Sequence, residues 1–315
     1  MTNNRMAYWS AAGLVAIGLT ATTWADNASN GTFDRFASSL SLTATDTEDM
    51  PGRSGVTSGG QYNLFTNPAP RDFHRPLAPE PHPYTTEPGR VQVEIDPLSY
   101  AYDRHNPDRE NIRVRAWEVP VTIKLGVLHN VDFQVGVDAF VWEREDDVDA
   151  GTRSRERGFG DITLRSKINL WGNDEDMDHA FAVMPFLQLP TARHDLGSRA
   201  VQGGVMLPFA WVFAEGWEVE WTPHFAAIRD GDDESYELEA GSLLVLNRVI
   251  VENLEAFVEF EAIGDTESGS PWAGTVATGL TYELTPDTIL EGGVGFGVTR
   301  AADDFTTFIT IVQRF

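Results

Sequence analysis

From Arg90 to the C-terminus, apolar residues fall on every second position, in segments of roughly 10–14 residues. Clusters of charged residues, Gly, Asn or Pro separate them. Successive side chains point to opposite faces only along an extended chain, so this period predicts strands with one greasy and one wet face. Twelve segments can be read, at about 91–102, 117–125, 131–141, 162–170, 179–190, 201–213, 217–225, 236–246, 254–262, 272–280, 290–298 and 305–315. The pattern is clear where Trp117, Val119, Val121, Ile123 and Leu125 share a face, and where Leu254, Ala256, Val258 and Phe260 alternate with Glu255, Phe257, Glu259 and Glu261.

A soluble β-sandwich also alternates, with its apolar faces packed together and its polar faces wet. A transmembrane barrel turns the apolar faces outward and collects aromatics at strand ends, near the two interfaces. Trp117, Trp142, Trp171, Trp217, Trp221, Trp272 and Tyr282 fall near strand ends. An even number of long segments suits a closed single-chain sheet. The expected fold is therefore all-β, a 12-stranded antiparallel up-and-down transmembrane β-barrel over residues 90–315.

Links alternate in length, short near 128–130, 214–216, 247–251 and 285–286, long and charged at 143–158 and 229–234. Barrels have short periplasmic turns and longer external loops. The 172–178 link is long for a periplasmic turn.

The N-terminus reads as an export signal. Arg5 precedes an apolar core of about nine residues, 11–19, and Thr23-Trp24-Ala25 ends the segment with small residues where a signal peptidase reads. That core falls well short of the roughly twenty residues a spanning helix needs. Residues 1–25 are expected to be a cleaved signal peptide, and the absence of Cys excludes a lipoprotein anchor, a disulfide framework and a thiolate site. Residues 26–89 are rich in Ser, Thr and Gly and then in Pro, from Pro68 to Pro88. Such composition buries little apolar surface against its ordering entropy and predicts a flexible periplasmic leader. A plug folded into the lumen is the alternative.

The opposite parity of each strand would line the lumen. That assigns Lys124, Arg165 and Lys167 as positive lining residues, and Asp132, Asp138, Glu218, Glu220, Glu259 and Glu261, with Glu255 and Glu291, as negative ones. Opposed charges across a narrow barrel would orient a polar solute, and the acid excess favours cations. Equally, the charges could pair across a plugged lumen. A net charge of −25 repels nucleic acid.

No G-x-S-x-G, H-E-x-x-H or Walker pattern is present, and His74, His82, His105, His129, His179, His194 and His224 are scattered away from any Ser motif. No enzyme activity, cofactor or metal site is expected. The acidic stretches 173–176 and 230–234 lack EF-hand spacing and read as solvated loops. Expected partners are outer-membrane lipid, a small-molecule solute, and the barrel-assembly machinery acting through the terminal aromatic Phe315, whose parity Phe305, Ile309 and Ile311 share.

The stretch Gly158-Phe159-Gly160-Asp161-Ile162-Thr163-Leu164-Arg165-Ser166-Lys167 resembles the G-x-G-D-strand-K motif of the meta-pathway phenol-degradation family of outer-membrane β-barrels. Leu189-Pro190-Thr191 resembles that family's Leu-Pro-Thr-Gly, with Ala192 where Gly is usual, and Arg314-Phe315 fits its end. Asp161 reads as a cap on a tight turn rather than a ligand group. The resemblance implies an outer-membrane location and a channel or transporter for small, hydrophobic or aromatic solutes. A plugged structural or adhesive barrel, using the charged stretch 144–157 for contacts, is the alternative, and a lipid-hydrolysing barrel a more distant one.

Overall fold

The computed structural model describes residues 62–106, 112–174, 177–193, 196–229, 236–265 and 271–315. The expected signal peptide, the first part of the leader, the acidic stretch 230–234, residues 175–176 and His194 lie outside the described residues.

The segments are β1 Val91–Asn106, β2 Ile112–Leu128, β3 Val131–Asp147, β4 Thr152–Gly158, β5 Ile162–Trp171, β6 His179–Leu189 and β7 Gln202–Met206. They continue as β8 Phe209–Ala214, β9 Trp217–Arg229, β10 Tyr236–Val251, β11 Leu254–Asp265, β12 Ala273–Thr285, β13 Thr288–Gly297 and β14 Phe305–Arg314. Every pairing is antiparallel, β14 pairs with β1, and the β9–β10 pairing completes the ring.

The fourteen segments make twelve barrel strands. β4 and β5 both pair with β3, along 141–147 and 131–137, so they are one strand broken at Phe159-Gly160-Asp161. β7 and β8 both lie between β6 and β9 and are one strand broken at Leu207-Pro208. Pro208 has no N–H for the ladder, and there the chain substitutes bonds from Ala182 N to Pro208 O and from Leu207 N to Pro223 O.

The barrel is inside-out relative to a soluble core. Ile123 is 48% exposed while its neighbour Lys124 is 1% exposed, and Phe133, at 43%, sits between fully buried Asp132 and Gln134. The apolar faces form the outer wall, which decides against a sandwich. In hydrocarbon each amide needs a partner within the sheet, and closure supplies one at both edges.

Short turns and the C-terminal Phe315 share one end of the barrel, the periplasmic end by the rule of short turns. At the other end β3 runs to Asp147 and pairs with β4, so the stretch 143–158 is mainly a hairpin rather than the loop its charge suggested. β10 likewise runs through 247–251, leaving only Glu252-Asn253 as the turn.

Candidate functional site

Residues 62–89 are bonded to the inner wall of the barrel. Their composition predicts a flexible leader, yet their charged groups sit among the most deeply buried in the molecule, as the plug alternative requires. Glu80 is fully buried; its Oε1 lies 3.0 Å from Lys124 Nζ as an ion pair and accepts hydrogen bonds from Lys167 Nζ at 2.6 Å and Gln134 Nε2 at 3.0 Å. Lys124 also reaches Glu94 of β1 at 2.8 Å, and Lys167 donates to Tyr84 O at 3.0 Å. Burial alone would raise the Glu80 carboxyl; the Lys124 and Lys167 ammoniums beside it reverse this and hold it well below the usual carboxylate range.

The backbone of the segment is fastened at successive points. Asn169 Nδ2 donates to Pro83 O at 3.0 Å, and Thr86 N donates to Asp132 Oδ2 at 2.9 Å. Thr85 N donates to Asn173 Oδ1, and Asn173 Nδ2 returns a bond to Thr85 Oγ1, both at 2.9 Å. Arg75 joins Asp174 at 2.7 Å and His129 O at 2.7 Å, while its own N–H donates to Glu87 Oε1 at 2.8 Å. These contacts account for the length of the 172–178 link: it carries Asn173 and Asp174 to the segment. Proline explains why the segment orders at all. Pyrrolidine rings restrict the free chain, so less entropy is lost on docking than Ser- or Gly-rich chain would lose.

His82 is buried beside Glu80, with Nε2 3.6 Å from Glu80 Oε1 and Nδ1 accepting the Tyr84 N–H at 3.2 Å. Burial, then the charge of Lys167, drives its pKa well below the ordinary 6.5, so the ring is neutral.

The residues expected to line the lumen fall into separate groups. Lys124, Lys167 and Asp132 meet around the docked segment. Asp138 and Arg165 sit within charge reach of each other at the other break in the wall, beside Asp161. Glu218 and Glu220 lie on β9, Glu220 accepting Asn247 Nδ2 at 2.7 Å. Glu259 and Glu261 are both buried on β11, and Glu291 on β13 accepts Thr281 Oγ1 at 2.6 Å. The three cations expected to line the lumen therefore lie on the β2–β5 side, and the denser acids on the β9–β13 side.

Asp161 works as a cap. Its carboxylate accepts Ala192 N at 2.9 Å, Ser198 N at 2.7 Å and Gln188 Nε2 at 3.2 Å, tying the 190–201 connection to the strand break. A Cβ on Gly160 would stand 2.5 Å from Asp138 Cβ, and one on Gly197 would stand 2.6 Å from Asp161 Oδ1. The G-x-G-D motif thus needs its second glycine for close approach, and Ala192 performs its part through its amide.

The barrel interior also holds buried apolar residues on the parity read as wet. Leu243, Val245, Phe257, Ala277 and Phe308 cluster on one side, and Met184, Phe186, Met206 and Ala226 on another. Phe257, Gly279, Gly293 and Phe308 are directly opposite one another on β11, β12, β13 and β14. The two rings lie toward this glycine pair with centroids 6.3 Å apart, forming a shelf. Phe308 escaped notice because a single strand does not reveal its glycine partner, and Leu243 and Val245 because their cross-strand partners, Glu261 and Glu259, are acidic.

A closed antiparallel sheet with greasy residues outward and ion pairs inward is a membrane β-barrel of the outer-membrane type. The family described as "Putative MetA-pathway of phenol degradation" matches residues 79–315, and the chain belongs to it. The match begins one residue before Glu80, so the central anchor of the docked segment lies within the family's extent. No curated protein matches the chain. Among solved structures, an outer-membrane channel from Pseudomonas putida F1 is similar with a TM-score of 0.56 and 13% identity, over 78% of this chain and 99% of that one. The toluene transporter TbuX of Ralstonia pickettii is matched with a TM-score of 0.41 and 7% identity, over 72% of this chain and 89% of that one. At 13% identity the first likeness is one of fold.

Proposed function

We propose that the protein is a narrow outer-membrane channel for small solutes, with hydrophobic or aromatic compounds as its preferred class. The observation that carries this reading is the inward-facing apolar cluster around Phe257 and Phe308, which are 3% and 2% exposed. Apolar side chains inside a barrel whose outer wall already meets lipid are not needed for membrane insertion, and such a lining would meet aromatic solutes when the interior opens. The solved Pseudomonas putida F1 structure, described as an outer-membrane channel, supports the reading at the level of fold. In this reading the chain is exported on residues 1–25 and inserted through recognition of Phe315.

The experiment is single-channel recording of the purified protein in planar bilayers, paired with uptake of aromatic solutes by cells with and without it. Discrete conductance steps and faster uptake are expected. Silence in the bilayer, both for the wild type and for Glu80→Gln, which loosens the docked segment, together with unchanged uptake, would overturn the channel. A closed structural barrel is the second reading, favoured by the clamp of two lysines on Glu80. Steps in Glu80→Gln alone would assign the docked segment as the closed state of a channel.

A further inference from the structure

The outer face of the β2–β3–β4 extension carries positive charge in a chain of net charge −25. The pairing registers stack two rows across four adjacent strands at the long-loop end. The first is Tyr100, Trp117, Trp142 and Arg157, and the next is Tyr102, Arg115, Arg144 and Arg155. Beyond them Arg113, Asp146 and Arg153 form a third. These residues face outward, because the intervening Ala101, Val114, Ala116 and Val141 are all buried.

The hairpin sorts its charges by face. Glu143 and Glu156 are paired on the inward parity, leaving Asp146 as the acid among the outward arginines. Asp146 binds Arg144 at 3.0 Å and also Arg153. Three arginines directly opposite one another are mutually repulsive unless an anion lies between them. Part of the balance comes from rings, with Arg115 5.8 Å from the Tyr102 centroid and Arg155 6.0 Å from that of Trp142. Arg155 and Arg157 are nonetheless exposed.

Aromatic residues of a barrel lie at the headgroup level. One row further along a strand is two residues, about 7 Å, toward the outside. That height is where the phosphates of an outer-leaflet glycolipid sit, and guanidinium forks match phosphate oxygens in geometry as well as charge.

We propose that this face, centred on Arg115, Arg144 and Arg155, docks the phosphorylated head of outer-leaflet lipopolysaccharide. The aromatic row beneath meets the start of the acyl chains. The arginine rows meet the phosphates and supply the anion that their own spacing calls for.

The test is titration of the full-length protein in zwitterionic detergent with bisphosphorylated lipid A, an acyl-matched phosphate-free analogue, and inorganic phosphate. Tight binding is expected for bisphosphorylated lipid A, weakened about tenfold or more in the triple variant Arg115→Gln, Arg144→Gln, Arg155→Gln. Arg71→Gln, at the far end of the barrel, should bind as the wild type does. Equal affinity for the phosphate-free analogue, or an unchanged triple variant that keeps folded-barrel gel mobility, would overturn the proposal. So would displacement by inorganic phosphate at the same concentrations as lipid A, which would mark a free-anion site, or binding of acidic proteins with lipid A excluded. If the triple variant fails to fold, the wild-type contrast between phosphorylated and phosphate-free lipid decides alone.

Discussion

Arg314, the next-to-last residue, donates from Nη1 to Glu87 Oε1 at 2.7 Å, joining the final strand to the segment that precedes the first. The pair is buried, and Arg314 also holds Asp287 at 2.9 Å and Arg75 O at 3.0 Å. The seam between β14 and β1 is thus closed by side chains as well as by its ladder.

Removing one partner of a buried pair leaves the other charge without a counter-ion, at a cost of about 3–5 kcal/mol. Arg314→Gln is expected to loosen residues 62–89 while leaving the barrel folded. Limited trypsin digestion in detergent checks this, with faster cleavage after Arg71 than in the wild type. The double variant with Glu87→Gln should lose less than the sum of the two singles. Equal digestion rates for wild type and Arg314→Gln would remove the pair from the account.

Acidity should loosen the same segment through His82. Its folded pKa is depressed by burial, so on release the ring takes up a proton whenever the pH is below 6.5. The released state then binds more protons, and docking weakens as pH falls, by about 1.4 kcal/mol per unit down to the folded pKa. Glu80 is depressed too, but its contribution is lost only in much stronger acid, below the ordinary carboxylate value of 4.5. Between pH 7.5 and 5.5 the dependence should therefore follow His82, and His82→Gln should flatten it. Hydrogen exchange of residues 79–90, corrected for the intrinsic pH effect, reads this directly. An equally steep dependence in the variant would assign it elsewhere.

Period-two alternation made the barrel legible, because lipid on one side and lumen on the other impose opposite chemistry on successive residues. Ile123 and Lys124 illustrate it, one 48% and the other 1% exposed. It failed where neither face meets hydrocarbon: Glu143 to Arg157 has few apolar residues, so the hairpin beyond the hydrocarbon layer resembled a loop. The docked segment was illegible for a different reason. Its anchor Glu80 is held by Lys124 and Lys167, the chain's two lysines, and distant charges carry no local signal of their pairing. A carboxylate among prolines at Glu80-Pro81-His82-Pro83 was the available hint.

Glycines of the shelf should divide sharply by face. A Cβ on Gly279 would stand 2.3 Å from Gly292 O and 2.5 Å from Phe257 Cζ, whereas one on lipid-facing Gly292 meets nothing nearer than 3.4 Å. Gly279→Ala is expected to cost about 1–3 kcal/mol through overpacking, and Gly292→Ala close to nothing. Urea unfolding in lipid vesicles measures both. Equal losses would mean that Phe257 moves aside without cost and that the shelf is not a fitted surface.

Lipid contact is tested on the outer wall at Leu244, in the middle of β10, which is 44% exposed while its neighbours Leu243 and Val245 are buried. Arginine facing hydrocarbon near the bilayer midplane costs about 2–4 kcal/mol in such barrels, and less toward the interfaces. Leu244→Arg should therefore destabilise the vesicle-inserted protein by that amount. At Val251, in the last pair before the turn, the same substitution should cost far less, because the side chain reaches the interface. The depth dependence is the discriminating feature. A water-exposed sheet face would tolerate arginine equally at both positions, so matching losses at 244 and 251 would place this wall outside the bilayer.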